Sequence, residues 1–380
     1  TVNLPAGTAG AVVAIKDYAG TFDTNKVTLA PNGSDKIGGD NTTDATLSTE
    51  GIAVTLVFVD STQGWLVTDS GLQDEAPTAA FITATGGTIN TCGNFKTHVF
   101  TGPGTFAVSC AGNAAGSSTI DYMVIAGGGG GGQGSPGAYM GGAGGAGGFR
   151  ISNSVGCIAA PVMSPLANPT GLPVTATSYP VVVGAGGAKA PADSTKGSNG
   201  TDSVFTGSST ITSAGGGFGA AGAGTPESGG PGGSGGGSTN AQPAGSGNTP
   251  PVSPPQGNNG GVGAPGNTNS GAGGGGAGAV GGNSPNANTG GTGGAGGFVS
   301  ETFFSGGAAP LGTPGPVSST RYFAGGGSGS SDSPSAPGGV AGGAGGGGRG
   351  ATGNPAVNAA DGTTNTGGGG GGGSGFGSGT

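Results

Sequence analysis

The chain has 380 residues, of which 101 are glycine and 26 proline, and only 7% carry charge. Average usage is about 7% Gly and 5% Pro, so the composition argues against one conventional globular core and an ordinary two-domain enzyme. A formal net charge of −8 leaves no basic patch to displace counterions from phosphates, and no apolar run reaches the roughly 18 residues of a spanning helix, so neither nucleic acid nor membrane insertion is expected.

Glycine is unevenly spread: 16 of the 101 precede Ala126 and 85 follow it. The first part reads as a small, β-branched domain. The second is nearly uncharged, its only bases being Arg150, Lys189, Lys196, Arg321 and Arg349. Disordered segments stay solvated through charge and low hydrophobicity; this region interleaves glycine with Ala, Val, Phe and Pro instead, which points to order. A flexible Gly/Ser tether is the alternative.

Residues 1–72 form the first predicted module, a small β-sandwich or β-prism-like unit. Ala11–Tyr18, Lys26–Ala30 and Ile52–Asp60 are β-branched runs of strand length, separated by turn chemistry at Pro31-Asn32-Gly33-Ser34 and Ile37-Gly38-Gly39-Asp40. In the last run Ile52, Val54, Leu56 and Phe58 share one face. The other face is also largely apolar, which predicts burial on both sides. Trp65 is the only tryptophan. A core this small invites stabilisation by threefold association. Asp35, Asp40 and Asp44, with Asn41 and Asp23 nearby, put oxygen ligands on turns and are the candidate structural calcium site; solvated turns are the alternative.

Residues 73–87 are expected to be a linker, most polar over Gln73–Thr78. The third segment, 88–380, opens with strands over 88–126. The strongest hairpin signal pairs Phe95–Thr101 with Gly104–Ser109 around Gly102-Pro103. Cys92 and Cys110 bracket it and are candidates for a disulfide, with buried small hydrophobes as the alternative, while Cys157 is left over. No Cys or His stands at zinc-ligand spacing. Nowhere do apolar residues recur at helical spacing, so little or no helix is expected.

From 127 to 380 glycine dominates. Collagen needs glycine at every third position, and runs of six at 127–132 and seven at 367–373 break that rule. The other ordered option is a bundle of polyglycine-II strands, with three residues per turn and a rise of about 3.1 Å, whose N–H and C=O groups pair between strands. Pro136, Pro231, Pro250 and Pro251 stand where strands would stop or turn. Apolar islands recur between the glycine runs at Phe149-Arg150-Ile151, Tyr179–Val183, Asp202–Phe205, Phe298-Val299 and Arg321-Tyr322-Phe323. They read as short β-strands that frame the glycine segments.

The order of these blocks carries a resemblance. Phe95–Thr101, Gly104–Val108, Asp121–Gly127 with its glycine run, Gly141–Arg150 and Tyr179–Gly187 together resemble the glycine-rich domain of bacteriophage tail fibres and adhesins over roughly residues 88–380. Residues 1–72 more loosely resemble a small phage-fibre β module. The resemblance implies a homotrimeric fibre at the virion surface, extracellular, with loops or tips contacting a host cell-surface glycan or outer-membrane protein. Members of that family usually close with an apolar strand after the last glycine run. Here Gly375–Thr380 stands in its place, which raises truncation, or the alternative of a head-to-tail extracellular filament completed by a neighbouring subunit.

Candidate chemistry is sparse. His98 is the only histidine, and without an activated nucleophile beside it a structural role is expected. Gly-x-Gly-x-x-Gly occurs repeatedly, but never opening an amphipathic helix, so it is no phosphate cradle. An enzyme is not expected, and no cofactor beyond calcium. Among aromatics next to glycines, Trp65 and Phe376 included, Tyr139, Tyr179 and Tyr322 are the candidate receptor contacts, with core packing as the alternative.

Overall fold

The computed structural model describes residues 1–72, 79–92, 95–136, 139–154, 163–222, 227–266, 270–301, 311–332, 340–353 and 356–375. Its regular elements are strands, and no α-helix occurs among the described residues. Two units divide the chain: Thr1–Ala80 with Asn113–Ser117, and Phe81–Gly112 with Ser118–Thr380.

In the first unit, β1 (Val2–Asn3), β2 (Val12–Lys16), β3 (Val27–Ala30), β4 (Ala45–Leu47), β5 (Ile52–Asp60) and β6 (Gly64–Leu72) build two three-stranded sheets, β1-β3-β4 and β2-β5-β6. Val54, Leu56 and Phe58 alternate onto one face of β5 and join Leu4, Leu29 and Trp65 in a core that both sheets line, which makes a small sandwich. Trp65 is fully buried, and its ring meets Phe58 edge-on at 5.5 Å. The apolar outer face of β5 predicts burial on both sides, but only the inner face is covered within this unit, and Val59 stays 43% exposed. At the start of β6, Gly64 adopts φ 72°, and a Cβ there would overlap the Lys36 carbonyl oxygen, so the tight entry to the strand requires glycine.

A buried carboxylate secures the loop after β2. Asp17 accepts hydrogen bonds from the N–H groups of Thr21 (3.1 Å), Phe22 (3.0 Å) and Gly51 (3.0 Å). Burial alone would raise this carboxyl, but the N–H donors of Phe22, Gly51 and Thr21 outweigh it and hold it below the ordinary value of 3.8.

The second unit begins inside the expected linker. Residues 73–78 lie outside the described set, but Ile82–Thr85 form a strand, β7, so the linker does not extend to residue 87. β8 (Thr88–Cys92) and β9 (Phe95–Val99) make a two-stranded hairpin, and β10 (Gly104–Ala111) pairs with β7 and with β16 (Ser178–Val182). The expected pairing of 95–101 with 104–109 is therefore replaced. Phe106 and Val108 of β10 are buried with Ala84, Tyr179, Phe205 and Ile211, apolar surface that β7 and the later strands supply, while Phe100 packs against the cluster from outside it. His98 on β9 bonds through Nδ1 to Gly86 O (2.8 Å) and meets the Phe106 ring at 5.0 Å.

Four short strands, β11 (Thr119–Ile120), β12 (Met123–Ile125), β13 (Phe149–Ser152) and β14 (Ala167–Asn168), precede β15 (Leu172–Pro173). β17 (Ser203–Thr206) and β18 (Thr210–Ser213) complete a five-stranded antiparallel sheet in the order β18-β17-β16-β10-β7. β19 (Gly297–Ser300), β20 (Thr313–Pro314) and β21 (Thr320–Phe323) form another sheet. Every apolar island of the glycine region thus contains a strand: β13, β16, β17, β19 and β21.

Between these strands the glycine segments form a lattice with a three-residue period, as a polyglycine-II bundle requires. Segment 141–148 shows it most fully. Gly141, Gly144 and Gly147 donate to Gly373, Gly370 and Gly367; Gly142, Gly145 and Gly148 donate to Ala220, Gly217 and Ala214; Ala143 and Ala146 donate to Ala272 and Gly275. In return its carbonyls accept from Ala126, Gly129 and Gly132, from Ser234 and Gly237, and from Gly327 and Ser330. Six segments of the same chain therefore surround it, three accepting from its N–H groups and three donating N–H groups to its carbonyls. Segment 271–277 is enclosed in the same manner, by 324–330, 235–238, 279–282, 143–146, 258–261 and 291–294.

Side chains decide which residues fit. A Cβ on Gly141, Gly144 or Gly147 would overlap a carbonyl oxygen of segment 126–132, and one on Gly142 or Gly145 a carbonyl oxygen of segment 234–237. Alanine occupies the remaining phase, at fully buried Ala143 and Ala146. The repeat Gly-Gly-Ala is the imprint of these contacts.

Two outcomes follow from this packing. Gly144→Ala should destabilise the second unit by about 1–3 kcal/mol or more, as overpacking against rigid backbone does. Gly186→Ala, whose Cβ would meet nothing nearer than Gly128 O at 3.8 Å, should be neutral or stabilising by about 0.4–1 kcal/mol. Calorimetry of both variants checks the contrast, and equal effects would refute it. In the first unit, the stabilisation from Asp17 should be fully present above the ordinary carboxyl value of 3.8 and lost as pH falls through its lower folded value, because the folded state holds the ionised form. Acid unfolding followed through Trp65 emission should lose that limb in Asp17→Asn, together with stability at neutral pH.

Candidate functional site

The register of the lattice separates its two ends. Bonds Ala126 N to Gly148 O, Gly148 N to Ala214 O, Ala277 N to Ala324 O and Gly147 N to Gly367 O gather Ala126, Gly148, Ala214 and Ala324, which adjoin β12, β13, β18 and β21, together with Ala277 and Gly367. There Phe149, Ile151, Met163, Val299 and Phe323 bury an apolar plug with Ala146, Ala277 and Ala324. At the opposite end, Gly134 pairs with Gly222, Met140 with Ser374, Thr239 with Gly271, Ser270 with Ser331, and Ser331 with Thr352. Beyond those pairs the described residues include polar turns at 240–241 and 287–288.

These loops are held by carboxamides and hydroxyls. Asn286 Oδ1 accepts the N–H groups of Asn288 and Thr289 (both 2.9 Å), Ser270 Oγ donates to Asn286 O (2.9 Å), and Asn240 Oδ1 accepts Gly266 N–H (3.0 Å). Asp332 N–H reaches Asn288 O at 3.0 Å. Asn240 and Ala241 take φ of 47° and 58°, a turn conformation that Asn tolerates better than most residues. The result is a set of short, polar turns on a backbone lattice, suited to presenting hydrogen-bonding groups outward.

The tyrosine candidates separate on burial. Tyr139 lies at this loop end and is half-buried, its N–H directed to Ser135 O. Tyr179 and Tyr322 are corrected as receptor contacts, since they are only 6% and 5% exposed. The Tyr179 hydroxyl accepts Thr175 N–H (2.7 Å), and its ring lies 5.9 Å from that of Phe205. Tyr322 packs on Phe298 at 5.2 Å, and a Cβ on Gly315 would overlap its ring. Both islands are strands whose aromatics point inward. Phe376 lies outside the described residues.

Asp35, Asp40 and Asp44 are not brought together as ligands. Asp35 Oδ2 accepts Gly7 N–H (2.8 Å), and Asp40 Oδ1 takes both the N–H and the hydroxyl of Thr42 (2.7 Å each), bonds that lower its carboxyl below the ordinary value. Asp44 is exposed. Among the described residues no group of three or more His, Cys, Asp or Glu side chains is arranged to hold a metal ion. The expected Cys92–Cys110 bridge is likewise not formed. Cys110 is a free, exposed thiol on β10, whereas Cys92 ends β8 in a different sheet; the Cys92 side chain and Cys157 lie outside the described set. A shallow groove of about 300 Å³ beside the Gly102-Pro103 turn is lined by Gly86, Gly87, Thr88 and 99–105 and contains no ionisable side chain.

Sequence reasoning missed the residues that finish the lattice. Asn199, Asn259 and Asn283 accept the N–H groups of Phe218, Gly247 and Val262 (2.8 Å each). Buried Gln256 accepts Ala214 N–H (2.8 Å) and donates to Pro250 O (2.9 Å). Each carboxamide stands in for a peptide group where a neighbouring strand is missing. The available signal was their position next to glycine at segment ends.

The model of one protein family, described as a glycine-rich domain, matches residues 100–380, and the chain belongs to that family. No protein of curated function matches it. No helix among the described residues is long and apolar enough to cross a membrane.

Because the acidic turns satisfy themselves with N–H and hydroxyl donors, neither excess calcium nor a chelator should move the unfolding midpoint reported by Trp65. A calcium-dependent rise would restore the metal site.

Proposed function

We propose that this chain is a structural, non-enzymatic fibre protein, a homotrimeric component of a bacteriophage tail fibre that contributes to attachment at a host cell surface. One observation carries the reading: a backbone lattice, closed within a single chain, ends on one side in an apolar plug and on the other in polar turns. Such a scaffold anchors the turns through backbone bonds, and Asn240 and Asn286 brace the turns themselves. The loop end, with Asn240, Asn286, Asn288 and Tyr139, is the surface proposed to meet a glycan or an outer-membrane protein. Carboxamides and an aromatic ring suit sugar hydroxyls and sugar faces.

Self-association draws support from the first unit. Val12 and Val59 are 61% and 43% exposed on the β2-β5-β6 sheet, an apolar surface that a partner copy would cover. Electron microscopy and mass measurement of the purified full-length chain test the assembly. Discrete three-copy particles are expected. An open helical polymer would favour the alternative, a subunit of an extracellular filament, and a monomer at all concentrations would overturn both. Antibody labelling of virions, with signal expected on the tail fibres, tests the location.

A further inference from the structure

We infer that Asn32-Gly33 is a site of spontaneous deamidation, and that the polyglycine lattice suppresses the same reaction at the other two Asn-Gly pairs, Asn199-Gly200 and Asn259-Gly260. In this reaction the backbone nitrogen of the glycine attacks the Asn side-chain carbon Cγ. The new N–Cγ bond forms as the Cγ–Nδ2 bond breaks, and nitrogen leaves as ammonia, carrying away the proton lost by the glycine amide. Water then opens the cyclic imide at either carbonyl, giving aspartate or isoaspartate. The reaction needs a free glycine N–H, a free carboxamide and a backbone able to bring them together.

All three asparagines are exposed, so exposure does not separate them. Hydrogen bonding does. Gly200 N–H is committed to Gly216 O (2.9 Å), and the Asn199 carboxamide accepts Phe218 N–H (2.8 Å) while donating to Pro231 O (3.5 Å). Gly260 N–H is committed to Gly245 O (3.0 Å), and Asn259 Oδ1 accepts Gly247 N–H (2.8 Å). In both pairs the nucleophile and the electrophile are each held by a neighbouring segment of the bundle, 216–218 for Asn199-Gly200 and 245–247 for Asn259-Gly260.

Asn32-Gly33 has neither restraint. Among the described residues, neither the Asn32 carboxamide nor the Gly33 N–H has a hydrogen-bond partner. The turn is closed only by Asp35 N–H on Asn32 O (2.9 Å), and Gly33, at φ 58°, has nothing within 4 Å of where a Cβ would stand. The product matters locally, because the same turn holds Asp35 against Gly7 N–H at 2.8 Å. Aspartate adds a negative charge three residues from Asp35, and isoaspartate lengthens the backbone inside the turn.

The test is peptide mapping by mass spectrometry of the full-length chain aged at mildly alkaline pH, native and in urea. In the native chain, conversion at Asn32 should outpace that at Asn199 and Asn259 by about tenfold or more, because their reaction must await local opening. In urea the three rates should converge. Asn32→Gln should abolish most native conversion, and isoaspartate should be the larger product, which marks the imide route. Native Asn199 or Asn259 reacting as fast as Asn32, or Asn32 staying intact while the denatured chain reacts there, would overturn the inference.

Discussion

Hydrogen bonds between strands that have no side chains to keep them apart are what the second unit depends on. Each contributes only about 0.5–1.5 kcal/mol net, and each glycine ordered gives up more chain entropy than any other residue. The arrangement is stable only if nearly every N–H and C=O finds a partner, since an unpaired buried group costs about as much as several bonds supply. Segments 141–148 and 271–277 meet that condition with six neighbours each. At the margins, where a neighbour is missing, Asn199, Asn259, Asn283 and Gln256 provide the absent acceptor.

That constraint organises the rest of the unit. A lattice without side chains buries little apolar surface along its length, so the hydrophobic contribution is concentrated where its segments enter β-strands, around Phe149, Val299 and Phe323. A second cluster around Phe106, Tyr179 and Phe205 backs the five-stranded sheet. The aromatic residues of these clusters are therefore drawn inward, to the strand end, and the loop end keeps Tyr139 among Asn, Ser, Thr and Asp. The proposed division of labour, scaffold at one end and recognition at the other, comes from the same physics that closes the lattice.

Much of this was legible before the structure. The apolar islands, the failure of the collagen period and the absence of helical spacing together point to an all-β chain with ordered glycine segments. Strand partners were harder. The run 95–101 had a convincing turn before 104–109, but partner choice depended on burying Phe106 and Val108, a long-range requirement that turn chemistry does not record. Tyr179 and Tyr322 looked like display residues because they stand within a glycine-rich region; alternation along β16 and burial of both faces of β21 place the rings inside. The aspartates at 35 and 40 cluster in sequence, yet nearby N–H groups claim them one by one. The carboxamides of the lattice edge left almost no trace, since an Asn beside a glycine reads first as a turn.

The three-residue period also gives the bundle a reading frame. Inserting or deleting one residue inside segment 141–148 would turn everything beyond it by about a third of a revolution. Ala143 and Ala146 would then face a neighbour that admits only hydrogen, and donors would be aimed at the wrong strands. Changes of three residues preserve the facing and alter only length, while the turn beyond Thr239 lies outside the frame altogether. Lineages of this chain should therefore diverge quickly at the turns, and lengthen or shorten their glycine segments in threes.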